Sequence, residues 1–183
     1  MHRIRLIAAL ALLAACQDAP PEPATEPAAP EPEASTCADL GELSGSLSGA
    51  INTELDWSDQ DLRCESMRRP DDRGVRIRLS GKVAGERLAI IIALPTLEPA
   101  LTGPEFDSVV TITVDGSGRF FSTPNLGTCW ADIETNAPLT GDSALHNVAG
   151  SLTCVGPLGE FNGDAFVDIR ELRFSSIANW SKS

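Results

Sequence analysis

The stretch "RCESMRRPDDRGVRIR" holds Arg63, Arg68, Arg69, Arg73, Arg76 and Arg78, six of the ten arginines of residues 37–183. Counting Glu65, Asp71 and Asp72, it carries +3 inside a domain of −9. The arginine guanidinium is a planar fork of donors suited to phosphate and carboxylate. These six arginines are a candidate anion-binding patch for a lipid headgroup, an acidic glycan or an acidic partner. The competing reading is an edge strand whose charges deter aggregation and pair with local acids. Acidic residues also cluster. "DWSDQDL" brings Asp56, Asp59 and Asp61 close together, a spacing that can hold calcium in a loop. The EF-hand order, with its central glycine and terminal glutamate, is missing, so a solvated acidic loop is expected. Glu160, Asp164, Asp168 and Glu171 offer carboxylate pairs of the kind glycoside chemistry uses, but any acidic domain does.

"GDSAL" at 141–145 resembles the nucleophile motif of the GDSL hydrolases. The resemblance would make Ser143 the nucleophile, with a later Asp-x-x-His supplying its base. No Asp-x-x-His is present, and a serine without a positioned base is a poor nucleophile. The expected role is a helix or turn start capped by Asp142, with His146 at the surface or a strand end. The serines of "GSLSG" at 45–49 are out of place for a nucleophile elbow. Trp57, Trp130 and Trp180 are the large aromatics, and tyrosine is absent. The tryptophans are therefore expected in or lidding the core rather than forming a sugar platform.

The elements that must position these groups read as strands. In "VVTITVDGSGRFF", Val110, Ile112 and Val114 alternate with threonines, and Asp115–Gly118 is a turn cluster, which predicts a hairpin. "VRIRLS" alternates Val75, Ile77 and Leu79 against Arg76 and Arg78, so burial of the apolar face sends both arginines to solvent. "RLAIIIALP" is continuously apolar and reads as a central strand covered on both faces. "GTCWADIE" and "HNVAGSLTCV" look like two further strands. In "AFVDIRELRF", Val167 and Ile169 share one face while Leu172 and Phe174 share the other; a one-residue bulge near Arg170–Glu171 restores a single apolar face. "APLTGDSALHN", at 137–147, has room for one helical turn. The segment "LGELSGSLSGAINTELDW" is expected to form strands. The pattern predicts an all-β fold, an antiparallel sandwich or small barrel of about seven to eight strands.

The N-terminal residues concern location. His2, Arg3 and Arg5 precede ten uncharged apolar residues, Leu6 to Ala15. At about 1.5 Å per residue that run covers roughly half of a bilayer core of about 30 Å, the pattern of a secretory signal peptide. Leu13-Ala14-Ala15-Cys16 closely resembles the lipobox of bacterial lipoproteins. The resemblance implies cleavage after residue 15, a diacylglycerol thioether on Cys16 and an acylated amino terminus bearing palmitate-type chains. Gln17 after the cysteine suggests, by the proteobacterial sorting pattern, the outer membrane rather than retention at the inner one. Residues 17–36, "QDAPPEPATEPAAPEPEAST", hold six prolines and five acids with no base. They read, with Cys16, as a disordered, extended spacer.

Once Cys16 is assigned to lipid, four cysteines remain in an exported chain, an even count that reads as two disulfides. Neighbours in sequence and in expected elements predict Cys37–Cys64 and Cys129–Cys154. With no CxxC spacing and one histidine after residue 16, no metal or other cofactor is expected. Residues 37–183 suffice for one cored domain, and their net negative charge argues against nucleic-acid binding. The expectation is a monomeric envelope protein, lipid-anchored to a membrane and facing the periplasm or cell surface. Its β domain binds an anionic ligand or protein partner, or acts as a scaffold, without catalysis. Two alternatives are an envelope hydrolase using carboxylates or a metal, and a lipid carrier with an apolar cavity.

Overall fold

In the computed structural model the described residues are 36–69 and 73–181. The expected signal peptide, Cys16, the expected spacer apart from its last residue, Thr36, and Pro70, Asp71 and Asp72 lie outside them. The described residues belong to one compact unit. Eleven antiparallel strands form one sheet: β1 Glu42–Gly49, β2 Thr53–Ser58, β3 Arg63–Arg68, β4 Val75–Val83, β5 Glu86–Leu94, β6 Gly103–Asp115, β7 Arg119–Ser122, β8 Cys129–Leu139, β9 Asp142–Cys154, β10 Leu158–Glu160 and β11 Phe166–Asn179.

The count exceeds the seven to eight expected, for two local reasons. The segment "GELSGSLSGAINTELDW" resolves into a full hairpin, β1 with β2. Further on, two long strands are interrupted. β7 and β8 pair with successive stretches of β6, and β9 and β10 with successive stretches of β11. Pro124 lies in the first interruption and Pro157 in the second. Proline has no N–H to give a ladder, so each break falls where pairing would lose a donor.

Taken as tiers, the sheet is an up-and-down meander: β3, β4, β5, β6, then β7 with β8, β9 with β10, and β11, followed by β1 and β2. The two ends of that order, β2 and β3, are consecutive in the chain and joined only by Asp59–Leu62. Beyond the start of β1, the backbone N–H of Asn179 on β11 donates to Ser66 Oγ on β3 at 2.8 Å.

One apolar face of each tier feeds a single core, with Leu43, Ile77, Leu79, Ile90, Ile92, Ile112, Phe121, Leu152 and Leu172 fully buried. The period-two readings hold: Val75, Ile77 and Leu79 are buried, Arg76 is exposed and Arg78 half-buried. On β5, Leu88, Ile90, Ile92 and Leu94 face the core, while Ala89 and Ala93 are buried on the other side and Ile91 is half-buried. The bulge on β11 is present. Gly45 opposes Leu172 and Leu47 opposes Ile169, so Arg170 and Glu171 together face Ser46. That extra residue lets Val167, Ile169, Leu172 and Phe174 all be buried.

Residues 137–147 hold no helical turn. They are the end of β8, a two-residue turn at Thr140-Gly141 and the start of β9. Gly141 takes φ 94°, and such a residue closes a hairpin where a helical turn would break both ladders. Both bridges join the expected partners: Cys37 to Cys64, and Cys129 to Cys154, the latter pair directly opposite across β8 and β9.

Candidate anion-binding face

The outward face of β3 and β4 is built by alternation. Arg63, Glu65 and Met67 stand opposite Ser80, Arg78 and Arg76 respectively. Arg78 is held in a network. Its Nη1 donates to Glu65 Oε2 at 3.1 Å and to Ser80 Oγ at 3.4 Å, and Nη2 lies 3.9 Å from Asp115 Oδ2 on β6. To reach Asp115 on β6 the Arg78 side chain spans β5, where Ile91 stands opposite it. Much of the Arg78 charge is thus met within the domain, as the edge-strand reading requires. Arg76 is exposed and has no ion-pair partner among the described residues.

The six arginines do not converge on one site. Arg63 begins β3 and Arg68 ends it, about 17 Å apart at roughly 3.4 Å per residue. Arg68 and Arg69 are half-buried at that far end, and the Arg69 N–H donates to the Gly74 carbonyl at 3.4 Å. Arg73 lines a separate hollow that it shares with Glu98 and Asp107, an unsuitable lining for an anion.

Arg63 instead meets two cations outside the run. Together with Lys82 on β4 and Arg87 on β5, it lines a concavity of about 310 Å³, floored by Trp57, Ser80 and Gly81. The floor follows from the sheet's geometry. β3 starts opposite Ser80, so Gly81 and Lys82 of β4 have no β3 partner, and Trp57 from β2 covers the gap. The indole lies on Gly81, where an added Cβ would sit 2.6 Å from Trp57 Cδ2. Lys82 and Arg87 oppose each other across the β4–β5 ladder. Their sequence signal was faint: each is a lone cation beside a turn, and only strand pairing puts them beside Arg63.

The other candidates have structural employment. The Asp59 carboxylate accepts the N–H groups of Asp39 and Gly41, at 3.2 and 3.1 Å, fixing the loop that enters β1. No cluster of metal-ligating residues occurs among the described residues. Ser143 is exposed, and His146, three residues on, falls on the opposite face of β9, so the two form no dyad. Asp142 does cap its turn, accepting the Ala144 N–H at 2.9 Å.

His146 is not a surface residue: it is 4% exposed, in an edge-to-face contact with Trp180. Its Nδ1 lies 2.9 Å from Asn136 Oδ1. The Asn136 amide nitrogen already donates to the carbonyls of Glu98 and Leu101, at 2.8 and 3.0 Å, so its oxygen accepts and His146 Nδ1 carries the hydrogen. A buried histidine here ties the 98–101 loop to the β8–β9 hairpin. Trp57 and Trp180 are buried and Trp130 is half-buried, consistent with roles in and over the core.

Of the four carboxylates, Glu160 is engaged. Arg119 Nε donates to its Oε1 at 2.7 Å, and the guanidinium also sits 4.9 Å from the Phe121 ring centroid. The hydrogen bond from Arg119 holds the Glu160 carboxyl below its ordinary range, opposite to what a general acid needs. A lowered pKa in the folded state means the ion pair stabilises fully above the ordinary glutamate value, about 4.3, and less as pH falls through the lowered one. Glu160→Gln is therefore expected to lower the urea midpoint at pH 7 and to match the unsubstituted protein once pH falls below the lowered value. An unchanged midpoint at pH 7 would refute the assignment.

No family model matches the chain, and comparison with curated proteins and with solved structures returns no match, so function here rests on the residues and their geometry.

Proposed function

We propose that this chain is a lipid-anchored bacterial cell-envelope protein whose β domain binds or scaffolds without catalysis, held on Cys16 by its acyl chains. The observation that carries the reading is the disposition of cysteines. Five are present, and two bridges consume Cys37, Cys64, Cys129 and Cys154. Cys16 alone is left outside the bridges, at the end of the lipobox-like run, where acyl chains contribute about 0.8 kcal/mol per buried CH₂. Bridges of this kind suit an oxidising compartment. The acidic spacer and a net negative domain suit a tethered protein facing the periplasm or surface side of an outer membrane.

The sheet is proposed to wrap into a small barrel, with β3 beside the C-terminal half of β11. The Asn179-to-Ser66 bond and the short β2–β3 link support that closure. A core of fully buried Leu, Ile and Phe side chains favours a binding surface over a lipid-carrying interior. The engagement of Glu160, and the opposite faces of Ser143 and His146, support a non-catalytic role. Mass spectrometry of the mature amino terminus is the test. The expected result is a triacylated or diacylated Cys16 that is lost, with processing, in Cys16→Ser. An unmodified terminus beginning beyond residue 16 overturns the anchor.

A further inference from the structure

We propose that the end of the sheet where Phe120, Phe161 and Phe166 stand outward is a contact surface for an uncharged lipid bilayer. In this it rests on the reading of Cys16 as a lipid anchor. On β7, β10 and β11 the inward residues are Phe121, Leu158 and Val167, all fully buried. Alternation then sends Phe120 and Phe166 outward, 39% and 49% exposed, and Phe161 leaves β10 on the same side at 69%. The rings of Phe120 and Phe161 meet edge to face at 6.2 Å. Gly159, the partner of Ser122 and neighbour of Phe166 across the ladder, adds no side chain, and the space above it is open. Half of the six phenylalanines thus share one outward patch. Single exposed apolar residues are ordinary, whereas adjoining aromatic rings mark an interaction surface.

The patch continues into the turns at this end. The Phe161 N–H donates to the Phe120 carbonyl, and the Phe166 carbonyl accepts the Ala50 N–H, both at 2.8 Å. From Ala50 the turns at 50–52, 84–85 and 115–118 surround a hollow of about 200 Å³. Ile51, Val83, Leu88 and Val114 line it, the first two part-exposed. The cation at its wall, Arg119, is already paired with Glu160 at 2.7 Å, so no lone positive charge would enter a bilayer there. The opposite end of the sheet differs: its loops carry Arg68, Arg69, Arg73, Glu98 and Asp142.

Two observations select a bilayer over a second copy of the chain. Residues 17–35 span at most about 60 Å at roughly 3.1 Å per residue. The longest strand, β11, has 14 residues, about 48 Å at roughly 3.4 Å per residue. A chain acylated at Cys16 therefore reaches the bilayer with either end, and a weak apolar contact gains from the high effective concentration of a tethered surface. Two copies, each of net charge −9, repel one another. The same charge, with Glu86, Asp115 and Asp164 exposed at these turns, suits neutral headgroups and opposes anionic ones.

The test is photolabelling of the full-length chain, isolated from membranes and reconstituted in phosphatidylcholine vesicles with a diazirine-bearing phosphatidylcholine. Mass spectrometry of the peptides is expected to place lipid adducts on residues 119–122 and 159–166. Phe161→Ser with Phe166→Ser should cut these adducts about tenfold, with the melting midpoint unchanged because both rings point outward. Leu126→Ser, an exposed apolar residue by the hollow of Arg73 and Glu98, should change them by less than about twofold. Replacing part of the phosphatidylcholine by phosphatidylglycerol at low salt should weaken labelling; an increase would make the contact electrostatic and overturn the proposal.

The same spectra report the state of Cys16. Acylated Cys16 with adducts absent, or confined to the opposite end, overturns the bilayer surface and leaves the anchor standing. So does a dimer in neutral detergent that is lost in the double phenylalanine variant, with no lipid adducts on the patch. Unmodified Cys16 overturns the anchor; adducts still centred on the three phenylalanines would then uphold the surface by itself, and their absence would remove both.

Discussion

Replacing Cys37 and Cys64 by alanine is expected to lower the unfolding free energy by about 3.5 kcal/mol, by the chain-entropy relation for a loop of 27 residues. The bridge tethers the first described residues to β3. Without it, residues 36–41 keep the two bonds to Asp59, the Cys37 carbonyl bond from Leu40 and the Thr36 hydroxyl bond from Cys64. The Cys129–Cys154 bridge closes a loop of nearly the same length, so its removal should cost nearly the same. Losing both then costs about 7 kcal/mol, comparable with the whole stability of an ordinary domain at about 5–15 kcal/mol. Urea unfolding of the single-bridge variants, and of the reduced wild type, decides it. A fully reduced domain with its midpoint unchanged would show that the meander stands without its bridges.

Trp57→Ala is expected to cost about 3–5 kcal/mol, in the range for removing a large buried aromatic side chain. The size follows from the place of Trp57. β2 is the terminal strand of the sheet order and has no ladder to β3, so only its pairing with β1 and its buried side chains, Leu55 and Trp57, hold it down. The indole also covers the open edge of β4 at Gly81. Gly81→Ala tests the same contact from the other side, because the new Cβ must displace the ring; overpacking of this kind costs about 1–3 kcal/mol. If Trp57→Ala moved the chemical midpoint by less than the equivalent of about 1 kcal/mol, the indole would be a surface lid rather than core.

What could be read from residues alone was whatever depends on neighbours in the chain. The faces of β4, β6 and β11 were legible because side chains alternate with period two, and the bulge at Arg170–Glu171 because two apolar pairs of opposite parity cannot share a core without it. The bridges followed from an even cysteine count once Cys16 was set aside. Other features depended on contacts across the sheet. The splitting of two long strands at Pro124 and Pro157 needed to be seen against β6 and β11, because a proline breaks a ladder only where a partner waits for its missing N–H. His146 looked like a strand-end residue because its partners, Asn136 and Trp180, are 10 and 34 positions away, and only the β8–β9–β11 ladders bring the three together. The charged site shifted for the same reason. Sequence proximity grouped six arginines along β3 and β4, whereas pairing across strands sets Arg63 beside Lys82 and Arg87 and sends Arg68 to the far end. Charge complementarity acts through a few ångströms of space, and antiparallel registers, not chain order, decide which cations share it.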